Sequence, residues 1–305
     1  MTLSPPRSPH PQPPTPVTPF SLAGFRALVT GGTRGIGAAV ARLLAKAGAD
    51  VCVGYRSRHV EAAAMRDELT ALGVKGASLA ADIGSAGGSD SLVDHTVREL
   101  GGIDILVHSA GIWPVAETPA HEMEDERWAR TMRENVDATF FITRAASRAM
   151  MAARARATGA AGSMRASGQT PAVGMRAVGA GPTTGEYRGG RIVLVASTAG
   201  QRGEAMHADY AASKGAMISF VKSVAIELAP YDITVNAIAP GWVDTEMCAV
   251  PFAGGGRARV AAGIPVGRIA TPDDIAFPIV SLCFPGARHI TGEIVNVNGG
   301  AVLSG

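Results

Sequence analysis

The chain has 305 residues, of which 47% are apolar and 18% charged, and its formal net charge is +2. That composition excludes a disordered polyelectrolyte, supplies no basic excess for holding nucleic acid, and includes no apolar stretch approaching a membrane span. The length suits one α/β domain of ~250 residues carrying attachments.

Residues 1–19 hold eight prolines and almost no apolar periodicity, too little to offset the entropy of ordering. A disordered tail is expected over residues 1–22, without the cationic start and apolar run of a signal peptide, and the folded domain over 23–305. Short apolar, β-branched runs predict strands near residues 25–30, 51–55, 76–80, 103–108, 191–196, 233–239 and 293–297, with helices between them. Strand and helix in alternation imply a doubly wound parallel sheet of the Rossmann type.

The first strand leads into Thr30-Gly31-Gly32-Thr33-Arg34-Gly35-Ile36-Gly37, which opens a helix-like run. Strand, glycines and helix in that order form a cradle for a pyrophosphate at the positive end of the helix. The end of the second strand reads Tyr55-Arg56. An acid there would select NAD, whereas a cation accommodates a 2′-phosphate. Arg56 and Arg34 could clamp one phosphate between them, so NADP(H) is favoured over NAD(H).

Further along come Asp82, then His108-Ser109-Ala110-Gly111 after the fourth strand, and Asn135 within a helix expected over about 122–151. The Gly-, Ala- and Arg-rich segment of about 153–189 breaks the alternation. It carries a net +4, leaving −2 for the rest of the chain. As a helix-to-strand connection it enters at the amino end of the sheet, opposite the ligand edge, so it is read as an insertion and not as a lid.

The strand ending at Ala196 presents Ser197 at the carboxyl edge of the sheet, where ligands bind in such folds. A hydroxyl there can hydrogen-bond a carbonyl oxygen as charge develops on it. Thirteen positions later stands Tyr210-Ala211-Ala212-Ser213-Lys214. On a helix, residues four apart share a face, so the ammonium, together with an oxidised nicotinamide ring, is expected to pull the phenol down from its ordinary ~10 toward a useful acid–base range. Lys214 is one of four lysines in an arginine-rich chain. A compact ammonium can reach a ribose hydroxyl and a phenol oxygen together, which a guanidinium fork does not.

From about Phe20 to the C-terminus, apart from the insertion, the chain resembles the short-chain dehydrogenase/reductase family. The likeness rests on seven ordered sites: the 30–37 loop, Asp82, the 108–111 motif, Asn135, Ser197, Tyr210 with Lys214, and Pro240-Gly241 with Thr245. It implies an oxidoreductase in which Tyr210 is the catalytic acid or base, Ser197 orients the substrate oxygen, Lys214 holds the nicotinamide ribose, and Asn135 anchors a water behind Lys214. It further implies that the cofactor meets Gly31, Thr33, Arg34, Gly35, Ile36 and Gly37. Asp82, Ile83, Ala110 and Gly111 would lie on the adenosine side, and Pro240, Gly241, Val243 and Thr245 beside the nicotinamide and phosphates. The family commonly has Asn-Asn-Ala-Gly where this chain has His108-Ser109-Ala110-Gly111, and His108 is read as a structural substitute.

The segment from Asp244 to Ile269, with Met247, Cys248, Val250, Pro251 and Phe252 ahead of Gly254-Gly255-Gly256, is expected to form an apolar, mobile lid. Trp113, Gln201, Met206 and His207 are placed near the same edge. The pattern is most like 3-oxoacyl-acyl-carrier-protein reductases, so a small or acyl-carrier-linked ketone is the expected substrate. A dehydrogenase of a sugar or cyclic secondary alcohol is the alternative, and a non-catalytic NADP(H)-binding sensor the second. The family's usual homotetramer is expected through the long helices at about 122–151 and 210–229, the latter carrying Met217, Phe220, Val221, Val224 and Leu228. Cys52, Cys248 and Cys283 show no paired spacing and the histidines no His-Glu-x-x-His, consistent with free thiols in a cytoplasmic protein and with no metal site.

Overall fold

A computed structural model describes residues 20–157 and 188–303 of the chain. The elements run β1 (Arg26–Thr30), α1 (Gly35–Lys46), β2 (Asp50–Tyr55), α2 (His59–Ala71), β3 (Gly76–Ala80), α3 (Ala86–Leu100) and β4 (Ile105–His108) in the first half. The second half holds α4 (Asp125–Met132), α5 (Ala138–Ala157), β5 (Gly190–Val195), α6 (Ala199–Arg202), α7 (Ala208–Leu228), β6 (Ile233–Pro240), α8 (Ala249–Phe252), α9 (Gly256–Ala262), α10 (Pro272–Cys283) and β7 (Ile294–Val297).

All strand pairs are parallel, in the order β3-β2-β1-β4-β5-β6-β7. Successive strand residues face opposite sides of a sheet, and both sides are covered. Ala27, Val29, Val51 and Val53 pack with α1 and α10, whereas Leu28 and Cys52 pack with α3, α5 and α7. β5 and β6 are buried at every residue, and their largely apolar sequences, such as Ile192–Val195, are what a centre strand of this sheet requires. The strand order reverses between β1 and β4, and the crevice at that switch point is where such sheets bind ligands.

Three boundaries differ from the sequence expectation. Leu22, assigned to the tail, is fully buried and its N–H bonds to the Ala47 carbonyl at 2.8 Å. The rest of the expected tail, residues 1–19, lies outside the described residues. The insertion was expected to begin near 153, but α5 continues through Ala157, and residues 158–187 are likewise not described. Arg188 sets its guanidinium 5.5 Å from the Phe25 ring centroid, at the amino edge of β1. Finally, the single helix expected over 122–151 is α4 and α5 joined by a π-helical turn, Arg133–Asp137. Such turns recur at functional sites, and this one carries Asn135.

Candidate active site

The glycine loop joins β1 to α1 at the switch point. Gly31 has φ +66°, and a Cβ there would stand 3.0 Å from the Ala110 backbone nitrogen. A Cβ on Gly37 would fall 2.2 Å from the Gly31 carbonyl oxygen, so these two positions admit only glycine. Helix α1 begins with no side-chain cap and no acidic residue in its first turn, leaving its first N–H groups to face an anion. Thr30 knits the loop to β4: its Oγ1 accepts from the Ala110 N–H at 3.2 Å and is hydrogen-bonded to His108 Nδ1 at 2.8 Å. His108 is fully buried, and burial together with the Lys214 charge pulls its imidazole down to about 3. It is a neutral tie between two strands.

Beside this loop lies a cavity of about 250 Å³ bordered by Gly31, Thr33, Arg34, Arg56, Asp82, Ile83, Ala110 and Gly111. These eight residues of the expected cofactor set thus surround one space. Arg58 also borders it, a third guanidinium that sequence reading missed because it follows the strand end by three positions. The three arginines are held by three carboxylates, Glu61 accepting from Arg58 at 2.9 Å. Glu134 accepts from Arg56 at 2.6 Å, and Glu246 accepts from Arg34 at 3.0 Å and from Arg58 at 2.7 Å. Asp82 is paired with Arg133 at 3.2 Å.

A larger cavity of about 490 Å³ meets the first at Gly111 and Ile112, which border both. Ser197, Tyr210 and Lys214 all line it, with Ile36, Pro240, Gly241, Val243 and Thr245. Ser197 stands two positions after the last residue of β5, its Oγ accepting from the Ala199 N–H at 3.1 Å and its hydroxyl hydrogen-bonded to Tyr210. Lys214 is 5% exposed and donates from Nζ to the Val195 carbonyl at 2.7 Å, 5.8 Å from the Tyr210 ring centroid. Burial pulls its ammonium down to about 8.

For Tyr210 the chain's own groups act in the opposite direction to that expected with the nicotinamide bound. Burial pushes the phenol up, against the hydrogen bond from Ser197, and the Glu204 and Cys248 charges add to the rise. Burial costs the phenolate more hydration than its neighbours restore.

Asn135 does not line either cavity but lies behind their junction. Its side chain accepts from the Ile112 N–H at 2.8 Å and donates to the Ile112 carbonyl at 3.0 Å and to Ser213 Oγ at 2.9 Å. It therefore fastens the loop after β4 to the turn of α7 that carries Lys214. Gly35 and Gly37 also stand behind the lining, as the glycines that shape the loop.

The expected lid is helical rather than loose, with a 3₁₀ turn at Glu246–Cys248 followed by α8 and α9. Met247, Cys248, Arg259, Val260 and Ile264 of this segment line the cavity, whereas Val250, Pro251 and Phe252 do not. Of the four residues placed near the same edge, Trp113 lines the cavity. His207 stacks on it at 4.7 Å, Met206 is 45% exposed, and Gln201 turns away to Asn296 at 2.7 Å. Trp242, Arg202 and Glu204 also line the space. Burial raises the Glu204 carboxyl against the His207 charge and a hydrogen bond from Trp113. Among the described residues no group of three His, Cys, Asp or Glu could hold a metal ion. No helix among them is long and apolar enough to cross a membrane.

A doubly wound sheet with a glycine cradle at its switch point and Ser, Tyr and Lys converging on the neighbouring cavity defines a class of dinucleotide-binding oxidoreductase. Comparison with known proteins agrees. The family profile described as short chain dehydrogenase matches residues 26–163, and the one described as Enoyl-(Acyl carrier protein) reductase matches residues 164–302. The chain is 34% identical to the 3-oxoacyl-[acyl-carrier-protein] reductase FabG of Vibrio cholerae over 93% of its own length and 100% of the relative's. It is also 34% identical to the galactitol 2-dehydrogenase of Agrobacterium fabrum, over 91% and 97% of the two chains. Among solved structures, a putative short-chain alcohol dehydrogenase from Sinorhizobium meliloti superposes with a TM-score of 0.78 at 31% identity, covering 93% and 98% of the two chains. The chain belongs to the short-chain dehydrogenase/reductase family and is an oxidoreductase.

Proposed function

We propose that the protein reduces a ketone to a secondary alcohol with NADP(H), its natural substrate being a 3-oxoacyl thioester or a similar apolar ketone. The observation that carries this reading is the convergence of Ser197, Tyr210 and Lys214 on one cavity that adjoins the glycine cradle. The cofactor's chemistry is supply of a hydride to the carbonyl carbon. The chain's own residues do the rest. Ser197 donates a hydrogen bond to the carbonyl oxygen, and Tyr210 gives that oxygen its phenol proton as negative charge grows there. A phenol raised by burial keeps its proton at neutral pH, which suits the reductive direction.

Gly31, Thr33, Gly35, Ile36 and Gly37 would hold the pyrophosphate, with Arg34, Arg56 and Arg58 at the 2′-phosphate. Asp82, Ile83, Ala110 and Gly111 would take the adenosine side, and Pro240, Gly241, Val243 and Thr245 the nicotinamide side. Lys214 would hold the ribose, and Asn135 would order the groups behind it. The acyl-thioester assignment is supported by the likeness to FabG. A second reading, oxidation of a sugar or cyclic alcohol, is favoured by Glu204 and Trp113 in the cavity wall and by the likeness to galactitol 2-dehydrogenase. A carboxylate and an indole suit a hydroxylated substrate.

The protein is further proposed to be cytoplasmic and a homotetramer. The tetramer would form across α5 and α7, but with a narrower stripe than the sequence implied. Met217, Val221 and Leu228 are buried in the subunit's own core, while Ile226 is 74% exposed and Phe140, 43% exposed, has its ring 6.4 Å from that of the partly buried Phe220.

The deciding experiment is a panel of 3-oxoacyl thioesters, cyclic ketones and polyols, read by NADPH or NADH absorbance for wild type and Tyr210→Phe. The expected result is thioester reduction with NADPH, lost by about 100-fold or more in the variant while NADPH still binds. Turnover of polyols alone would select the second reading, and a variant retaining half its activity would refute the role of Tyr210.

A further inference from the structure

Beneath the cavity wall lies a buried charge cluster that the proposed chemistry does not use. Asp209, the residue before Tyr210 in the first turn of α7, is fully buried. Arg127 of α4 meets it side-on, Nε to Oδ2 at 3.1 Å and Nη2 to Oδ1 at 3.2 Å, with the arginine side chain 15% exposed. Thr131 Oγ1 donates to the same carboxylate at 2.7 Å. Hydrogen bonds from Arg127 and Thr131 outweigh burial and hold Asp209 below its ordinary value.

The guanidinium has further partners. Its Nη1 donates to the Ala116 carbonyl at 2.6 Å and to Thr118 Oγ1 at 2.7 Å, and its Nη2 reaches the Met206 carbonyl at 3.4 Å. One side chain thus joins the loop after β4, the loop before α7, and α7 itself. Met206 has φ +68°, a conformation that a non-glycine residue keeps only where its surroundings over-determine it. Here the Thr118 N–H, at 3.0 Å, and Arg127 both bond to its carbonyl. The next residue is His207, whose ring stacks on Trp113 at 4.7 Å with a 22° interplanar angle. Trp113 lines the cavity. From this cluster the chain leads one way to the cavity wall and the other way to Tyr210.

We infer that Arg127, paired with Asp209, is a positioning residue that holds the Trp113 wall and the Tyr210 proton donor in one register, so that a ketone seats with its oxygen at Ser197 and Tyr210. The inference rests on the proposed role of Tyr210. A charge pair buried this way acts as a unit, because removing one partner strands the other.

The test uses full-length Arg127→Met, Arg127→Lys and Asp209→Asn, with kcat and KM for the ketone and the NADPH dissociation constant measured separately. Misplacement by a fraction of the site's dimensions costs up to about 100-fold, so Arg127→Met is expected to lower kcat/KM for the ketone by about 10- to 100-fold. That loss should be carried mainly by KM, with NADPH binding unchanged. Arg127→Lys should recover part, since an ammonium can pair with Asp209 but cannot span Ala116, Thr118 and Met206 at once. Variants that melt earlier yet keep wild-type kcat and KM would overturn the inference. If Arg127→Met does not fold, Arg127→Lys and Asp209→Asn decide by the same split. A second readout is independent of turnover: acrylamide quenching of Trp113 in a Trp128→Phe, Trp242→Phe background. Wild type that binds NADPH but reduces no ketone refutes the proposed reaction, and quenching then decides for Arg127. A Trp113 more accessible in Arg127→Met supports it, and unchanged quenching overturns it.

Discussion

The Lys214 ammonium donates to the Val195 carbonyl at 2.7 Å, which ties α7 to the last residue of β5, two positions before Ser197. The lysine therefore fixes the separation between the residues that would meet the substrate oxygen, besides its proposed contact with the ribose. Burial to 5% exposure draws its ammonium down to about 8.

Lys214→Met should leave the Val195 carbonyl without its donor, an unsatisfied buried group worth about 1–3 kcal/mol, though removal of the buried charge offsets part of that. Turnover should fall by about 100-fold or more, with little change in melting temperature. Lys214→Arg should also be inactive, because the planar fork cannot enter a site left 5% exposed. Steady-state kinetics beside thermal unfolding check this; an active Arg variant would show that charge alone suffices.

Cofactor choice should respond to Arg56 and Arg58. A charge-assisted bond is worth about 1.5–3 kcal/mol, so Arg56→Ala and Arg58→Ala should each raise the KM for NADPH by about tenfold or more with far less effect on NADH. Equal losses with both cofactors would remove the 2′-phosphate assignment. Release of the carboxylates also matters. Glu246 occupies Arg34 and Arg58, so Glu246→Gln should tighten NADPH binding in a fluorescence titration.

Much of this architecture was legible because local chemistry dictates it. Runs such as Ile192, Val193, Leu194 and Val195 have no stable place except between two helical layers, and Gly31 and Gly37 mark backbone contacts that a Cβ would block. Long-range pairs were not legible. Arg127 and Asp209 stand 82 positions apart, and nothing in either neighbourhood signals that they meet. Arg58 was passed over because only the helix start at His59 turns it back toward the loop. The rise of the Tyr210 phenol was not legible for a related reason: the neighbouring cation can be read from spacing, whereas desolvation depends on everything packed around the ring.

Gly37→Ala separates helix propensity from loop geometry. On an exposed helix the change would stabilise by about 1 kcal/mol, but here the new Cβ would lie 2.2 Å from the Gly31 carbonyl oxygen. Backbone must move to relieve that contact. The expected outcome is a lower melting temperature and weakened binding of both NADPH and NADH, measured by calorimetry. A variant as stable as wild type with unchanged binding would show that the loop yields without consequence.

His108 gives the chain an acid sensitivity that the asparagine common at this position in the family would not. The imidazole is fully buried and pulled down to about 3, first by burial and then by the Lys214 charge. In the unfolded chain it titrates near ~6.5. Between those two values the unfolded state binds a proton that the native state refuses, so unfolding free energy rises with pH across that window and falls as pH drops below ~6.5. His108→Asn can keep a hydrogen bond to Thr30 Oγ1, now at 2.8 Å from the ring, while removing the titration. Urea unfolding at pH values spaced between neutrality and ~4 should therefore show wild type losing stability more steeply than the variant. Parallel curves for the two proteins would mean that His108 is not the group that charges on unfolding.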